Sequence, residues 1–179
     1  MTKTLPIENN SIDTLVCSDG IEQIDTQFDF VKEAHRVLKN GGAFIISTPN
    51  ISSLRSRWRW LLTGHHLKCN TPLAERDPNP LHPIGKISFP EIQYMLHTHG
   101  FKIQEVSTNR IKAISWIYAL FVPFAYLVTS MVYNKSSRKE NMSEINGEIK
   151  KIMFSKAVLF GETSIVKSVK TTMTANQSP

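Results

Sequence analysis

Hydrophobic positions along the chain fall into short continuous runs and one-faced periodic stretches. Asp13-Thr-Leu-Val-Cys-Ser18 is an apolar run that ends in small polar residues and follows the turn-forming Glu8-Asn9-Asn10-Ser11. It predicts a buried strand. From Gln27 to Leu38 the apolar residues Phe30, Val31, Ala34, Val37 and Leu38 share one face of a helix. Asn40-Gly41-Gly42 then offers residues that tolerate positive φ at a helix end. Ala43 to Thr48 is a second continuous apolar run, stopped by Pro49. Two such strands around one helix predict a parallel βαβ unit, buried on both faces.

Further along, Ser88-Phe-Pro-Glu91 has the spacing of a capping box, and Phe89, Ile92, Met95 and Leu96 mark the inner face of the helix it opens. Gly100 ends that helix. Residues 101–106 and 158–170 read as extended segments. In 52–63, Leu54, Trp58, Leu61 and Leu62 fall on one helical face beside a stripe of Arg55 and Arg59. That pattern suits either a lid over a pocket or a membrane interface. Residues 114–133 hold no formal charge and are long enough to cross a bilayer, but Pro123 interrupts them and basic residues flank both ends. The expectation is a kinked apolar helical pair or hairpin that covers the acceptor pocket and dips into one leaflet rather than crossing it. The polar stretch 134–151 reads as an exposed linker.

Composition narrows the class. With 41% hydrophobic and 20% charged residues in 179, the chain is globular, which excludes wholesale disorder and fibrous repeats. Cys17 and Cys69 make no disulfide framework, and no Cys/His cluster has metal-site spacing, so no metal is expected. MTKTLPIENN lacks the apolar core of a secretory signal, so the expected location is cytoplasmic, with a peripheral position on the inner face of a membrane as the refinement. The net charge of +6 is uneven. Residues 1–50 carry four basic and seven acidic side chains, whereas 51–112 carry nine against four. The basic part points to an acidic or membrane-facing partner; no nucleic-acid motif is present, so none is expected to bind.

One combination of segments is familiar. Leu5-Pro6 and Ser11-Ile12-Asp13 lead into the first strand, and Gly20-Ile-Glu22-Gln23 follows it. Glu33-Ala-His-Arg36-Val-Leu-Lys-Asn-Gly41-Gly42 then leads into a strand ending Ser47-Thr-Pro49-Asn50. Leu81-His-Pro-Ile84, the Glu91 helix and Gly100-Phe101 complete the series. In order and spacing the chain resembles the carboxyl-terminal half of a class I, Rossmann-like S-adenosylmethionine-dependent methyltransferase. The match covers residues 5–107 and, more thinly, 156–170.

The resemblance implies an α/β fold: a partial Rossmann-like sheet over residues 1–112, an apolar helical insertion and polar linker over 113–151, a terminal strand over 152–170 and a disordered tail over 171–179. It implies S-adenosylmethionine as cofactor, with Ser18, Asp19 and Gly20 lining its pocket. The acceptor is a small-molecule, lipid or glycan-precursor compound. His82 is the candidate general base, with a structural loop histidine as the alternative and His65-His66 nearby on the acceptor side. Gln23 stands where many relatives have His. The family's Gly-rich loop and ribose-holding acidic residue would lie upstream of Met1, so cofactor binding by these residues alone is expected to be weak. Two other readings compete: a noncatalytic methyltransferase-like partner or relic whose sheet another chain completes, and a membrane-associated binding protein.

Overall fold

The computed structural model of the chain describes residues 4–68, 85–140 and 143–171. These residues form one four-stranded sheet with helices packed on it. Strand β1 (Ile12–Ser18), helix α1 (Gln27–Val37) and strand β2 (Leu38–Pro49) make the expected parallel βαβ unit. Helix α2 (Leu54–Thr63) follows. Then come α3 (Phe89–Thr98), β3 (Phe101–Ser107) and a 3₁₀ helix (Ala113–Phe121). Helices α4 (Val122–Glu140), α5 (Ser143–Met153) and α6 (Lys156–Phe160) precede the last strand, β4 (Thr163–Lys170). The strand order is β1-β2-β4-β3, with β4 antiparallel to both of its neighbours. The carboxyl ends of β1, β2 and β3 therefore meet the amino end of β4 along one rim.

Three local expectations change. Residues 38–42 are strand, not a helix-ending turn. Ile12 pairs with Leu38 and Thr14 with Ala43, so the ladder absorbs the extra residues at an irregularity. Gly41 supplies the positive φ of 79° there, and a Cβ on Gly42 would lie 2.8 Å from the Lys39 carbonyl oxygen. Residues 158–160, read as extended, belong to α6, where Ser155 Oγ accepts from the Val158 amide. The polar stretch 134–151 is helical over its described residues rather than a linker.

β1 also lies at the sheet edge, so it is not buried on both faces; Val16 is 60% exposed. β2 sits between β1 and β4, and Phe44 and Ile46 on it are fully buried. They join Val31 and Ala34 of α1, Ile92, Met95 and Leu96 of α3, Val158 and Val166 in one core. Burying each of the larger side chains among them contributes about 1.5–3 kcal/mol. Phe44 lies 5.4 Å from Phe101 and 6.1 Å from Phe30 between ring centroids. The capping box holds α3 as expected, with the Ser88 amide donating to Glu91 Oε2 at 2.6 Å. Arg36, on the polar side of α1, is a clamp. Its guanidinium donates to Glu33, to the Leu5 and Ile7 carbonyl oxygens and to Asn9 Oδ1, fastening the amino-terminal segment to α1.

Candidate functional site

The rim where β1 and β2 end carries the first cluster. Asp19 takes a left-handed φ of 44°, unusual for a residue with a Cβ. The turn is pinned from the neighbouring strand. The Asp19 amide donates to the Ser47 carbonyl oxygen at 2.9 Å and to Ser47 Oγ at 3.1 Å, and Ser47 Oγ lies 3.3 Å from Ser18 Oγ. Gly20 has a φ of −128°, which any residue adopts, and a Cβ there would make only ordinary contact at 3.6 Å. Neither conformation nor crowding demands glycine at this position. What the glycine does provide is bare backbone at the rim.

Behind this turn the polar groups are buried and paired. Glu22 is 4% exposed and accepts from Thr48 Oγ1 at 3.0 Å. The Glu22 carbonyl oxygen accepts from the Gly85 amide at 3.1 Å, and Gln27 Nε2 donates to the carbonyl oxygens of Gly85 and Ile21. A Cβ on Gly85 would meet the Glu22 carbonyl oxygen at 3.0 Å, so that close approach requires glycine. Burial, reinforced by the Glu22 carboxylate, pushes the Cys17 thiol above its usual value, the wrong direction for a nucleophile.

A second cluster lies further along the same rim, where β2 meets β4. Pro49, Asn50, Arg55, Lys112, Ser115 and Glu162 contribute to a cavity of about 190 Å³. Asn50 is its structural key. Asn50 Nδ2 donates to the carbonyl oxygens of Ala157, Val158 and Gly161, while its Oδ1 accepts from the Ser52 amide. Ser53 caps α2, its Oγ accepting from the Ser56 amide at 3.3 Å, which sets Arg55 in the first turn beside the cavity. Glu162 is held by Arg110 and by Lys112, the latter at 2.5 Å, and these cations lower its pKa from 4.5 to about 2. It stays ionised near neutral pH, yet Arg55, Lys68 and Lys112 leave the lining cationic on balance.

His82 lies outside the described residues, as does Cys69. His66 is described: its Nδ1 is 3.0 Å from Ser56 Oγ and its ring stacks on Trp60. Burial, with Lys86 adding, lowers its pKa, which favours the neutral imidazole. The structure thus brings Ser18, Asp19 and Gly20 together with Ser47, which the sequence reading passes over. Ser47 and Glu162 lie in ordinary strand-end sequence, and only the pairing of strands distant along the chain gives them their place. Among the described residues no group of three His, Cys, Asp or Glu side chains could hold a metal.

Residues 1–46 match the Methyltransferase domain family. A probable S-adenosylmethionine-dependent methyltransferase of Mycolicibacterium smegmatis is 33% identical over 102 residues, which is 56% of this chain and 33% of that protein. The chain thus spans a third of the length of this curated relative. Among solved structures, an S-adenosylmethionine-dependent methyltransferase of Archaeoglobus fulgidus aligns over 92% of this chain and 62% of its own, at 14% identity and a TM-score of 0.50. A possible histamine N-methyltransferase of Thermotoga maritima aligns over 93% and 59%, at 16% identity and a TM-score of 0.51. These two share the fold. Residues 1–46 thus match the methyltransferase family in sequence, and the described residues share the fold of class I, Rossmann-like S-adenosylmethionine-dependent methyltransferases. The cofactor of that family is S-adenosylmethionine.

Proposed function

We propose that the chain supplies the acceptor side of an S-adenosylmethionine-dependent methyl transfer in the cytoplasm. Ser18, Asp19 and Gly20 contribute one wall of the cofactor pocket, and the cavity around Asn50 receives part of the acceptor. The observation that carries this reading is the Asp19 turn. A left-handed non-glycine residue, pinned by Ser47 and followed by a glycine that conformation does not require, sits where ligands bind at the carboxyl ends of strands in open α/β sheets. Bare backbone at Gly20 allows a ligand close approach. Methyl transfer proceeds by in-line displacement: the acceptor's lone pair forms the new bond to the methyl carbon as the carbon–sulfur bond breaks, leaving a neutral thioether. Positioning supplies most of the catalysis. His82 is the proposed base for an acceptor hydroxyl.

The excess of cations around the cavity favours an acceptor bearing an anionic group, such as a lipid-linked or glycan-precursor phosphate. The open edge of β1 favours completion of the sheet by another polypeptide segment, which would bring the cofactor's second wall. Amide chemical shifts recorded during titration with S-adenosylmethionine test the assignment. Shifts confined to the neighbourhood of Asp19 and Gly20, lost in Asp19→Ala, are expected. Shifts centred elsewhere would overturn it.

A further inference from the structure

Residues Ala113–Lys135 form a helical stretch of 23 residues with a mean hydropathy of 1.6 in its most apolar window, of which only 6% is buried. Its outer side chains include Leu120 at 82% exposed, Phe124 at 72% and Met131 at 64%. Helix α2 adds Leu61 and Leu62, each about two-thirds exposed, and the two elements are joined where Trp58 stacks on Phe121 at 5.0 Å between centroids. Soluble monomers rarely leave an apolar surface of this extent in water.

The opposite side of the same stretch is fastened to the domain along its length. Ser115 is buried, Trp116 stacks on Phe160 at 4.9 Å and Tyr126 meets Phe154 edge-on at 5.1 Å. Lys150 Nζ donates to Ser130 Oγ at 3.1 Å, and Tyr133 packs on Met153. A perpendicular crossing of a bilayer would have to break all of these contacts. The helix is therefore placed to lie flat.

Charge says what covers the outer side. Residues 51–67 hold Arg55, Arg57 and Arg59 and no acidic residue, and residues 106–139 hold no Asp or Glu, adding Lys135 to Arg110 and Lys112, the two cations that share Glu162. A second copy would bring the same cationic rim against itself. An anionic lipid surface complements it. All three tryptophans of the chain, Trp58, Trp60 and Trp116, are exposed on these elements, and indole favours the headgroup region.

We propose that α2, the 3₁₀ helix and α4 form a monotopic docking surface for an anionic lipid bilayer, with their outer apolar side chains among the acyl chains and Arg59 and Lys135 at the headgroups. This surface goes beyond the methyltransferase reading and stands independently of it. Its test is flotation of the 179-residue chain with vesicles of phosphatidylcholine and phosphatidylglycerol, compared with phosphatidylcholine alone. The chain is expected to float with the anionic vesicles, to leave them in carbonate, and to keep tags at both termini open to protease added outside. Leu120→Glu and Phe124→Glu, at largely exposed positions, are expected to weaken binding about tenfold each with little change in thermal unfolding. Failure to float, or binding indifferent to both substitutions, would overturn the proposal. So would a C-terminal tag protected in sealed vesicles, which means a spanning helix. A lipid-free dimer that Leu120→Glu dissolves would also overturn it, since a second copy then covers the face.

Discussion

The ammonium of Lys170 lies 2.8 Å from the carbonyl oxygen of Leu38, although 132 positions separate the two residues in sequence. The same nitrogen donates to the His35 carbonyl oxygen and to Asn10 Oδ1, each at 2.7 Å, and the side chain is only 7% exposed. A buried cation is thereby satisfied by the carboxyl end of α1, where helix carbonyls concentrate partial negative charge. The last residue of β4 closes the first βαβ unit. Lys170→Met leaves those acceptors unpaired, and urea denaturation is expected to record a loss of about 2–4 kcal/mol.

Asn50 is the second fastening. Its amide nitrogen reaches three carbonyl oxygens around α6 and Gly161, so Asn50→Ala strands buried acceptors and loosens the cavity wall. A loss of about 2–3 kcal/mol is expected from chemical denaturation. Asn50→Asp is expected to be no better, because a carboxylate cannot donate to these carbonyls.

Glu162 gives a pH signature. Its folded pKa of about 2 lies below the ordinary 4.5, so its contribution to stability is complete above pH 4.5 and is lost as pH falls toward 2. Glu162→Gln is expected to melt a few degrees below the parent at neutral pH. That gap should close through the same acid window. A gap independent of pH would mean that the carboxylate's charge is not what stabilises.

The eight glycines of the chain include no G-x-G-x-G run, and the proposed cofactor contacts at Ser18, Asp19 and Gly20 make up a single wall. Calorimetry on the 179-residue chain is therefore expected to find S-adenosylmethionine binding too weak to saturate in the micromolar range. A saturable micromolar isotherm would require a cofactor site built differently from the family's.

Local signals carried well from sequence to structure. β1, α1 and the Ser88–Glu91 box all arise from neighbours a few residues apart, and each forms where the pattern put it. The errors concern what faces an element. Leu61 and Leu62 share a helical face with Leu54, yet only Leu54 is buried, because periodicity locates an apolar stripe without naming its cover. Arg36 reads as a surface cation since its partners at Leu5, Ile7 and Asn9 lie a whole strand away in sequence. The Thr-Pro-Asn strand ending was visible, but the reason for it was not. Thr48 binds Glu22 in the segment after β1, and Asn50 binds a helix more than a hundred residues later.

Ser115 lines the cavity while Ile114, Trp116 and Ile117, its neighbours on the 3₁₀ helix, are exposed. A single turn of backbone thus borders two environments. Whatever free energy links them must run equally in both directions: if contact on the outside tightens the cavity's hold on a ligand by some factor, a filled cavity tightens the outside contact by that same factor. Occupancy of one compartment then becomes a thermometer for the other, with Ser115 as the shared wall.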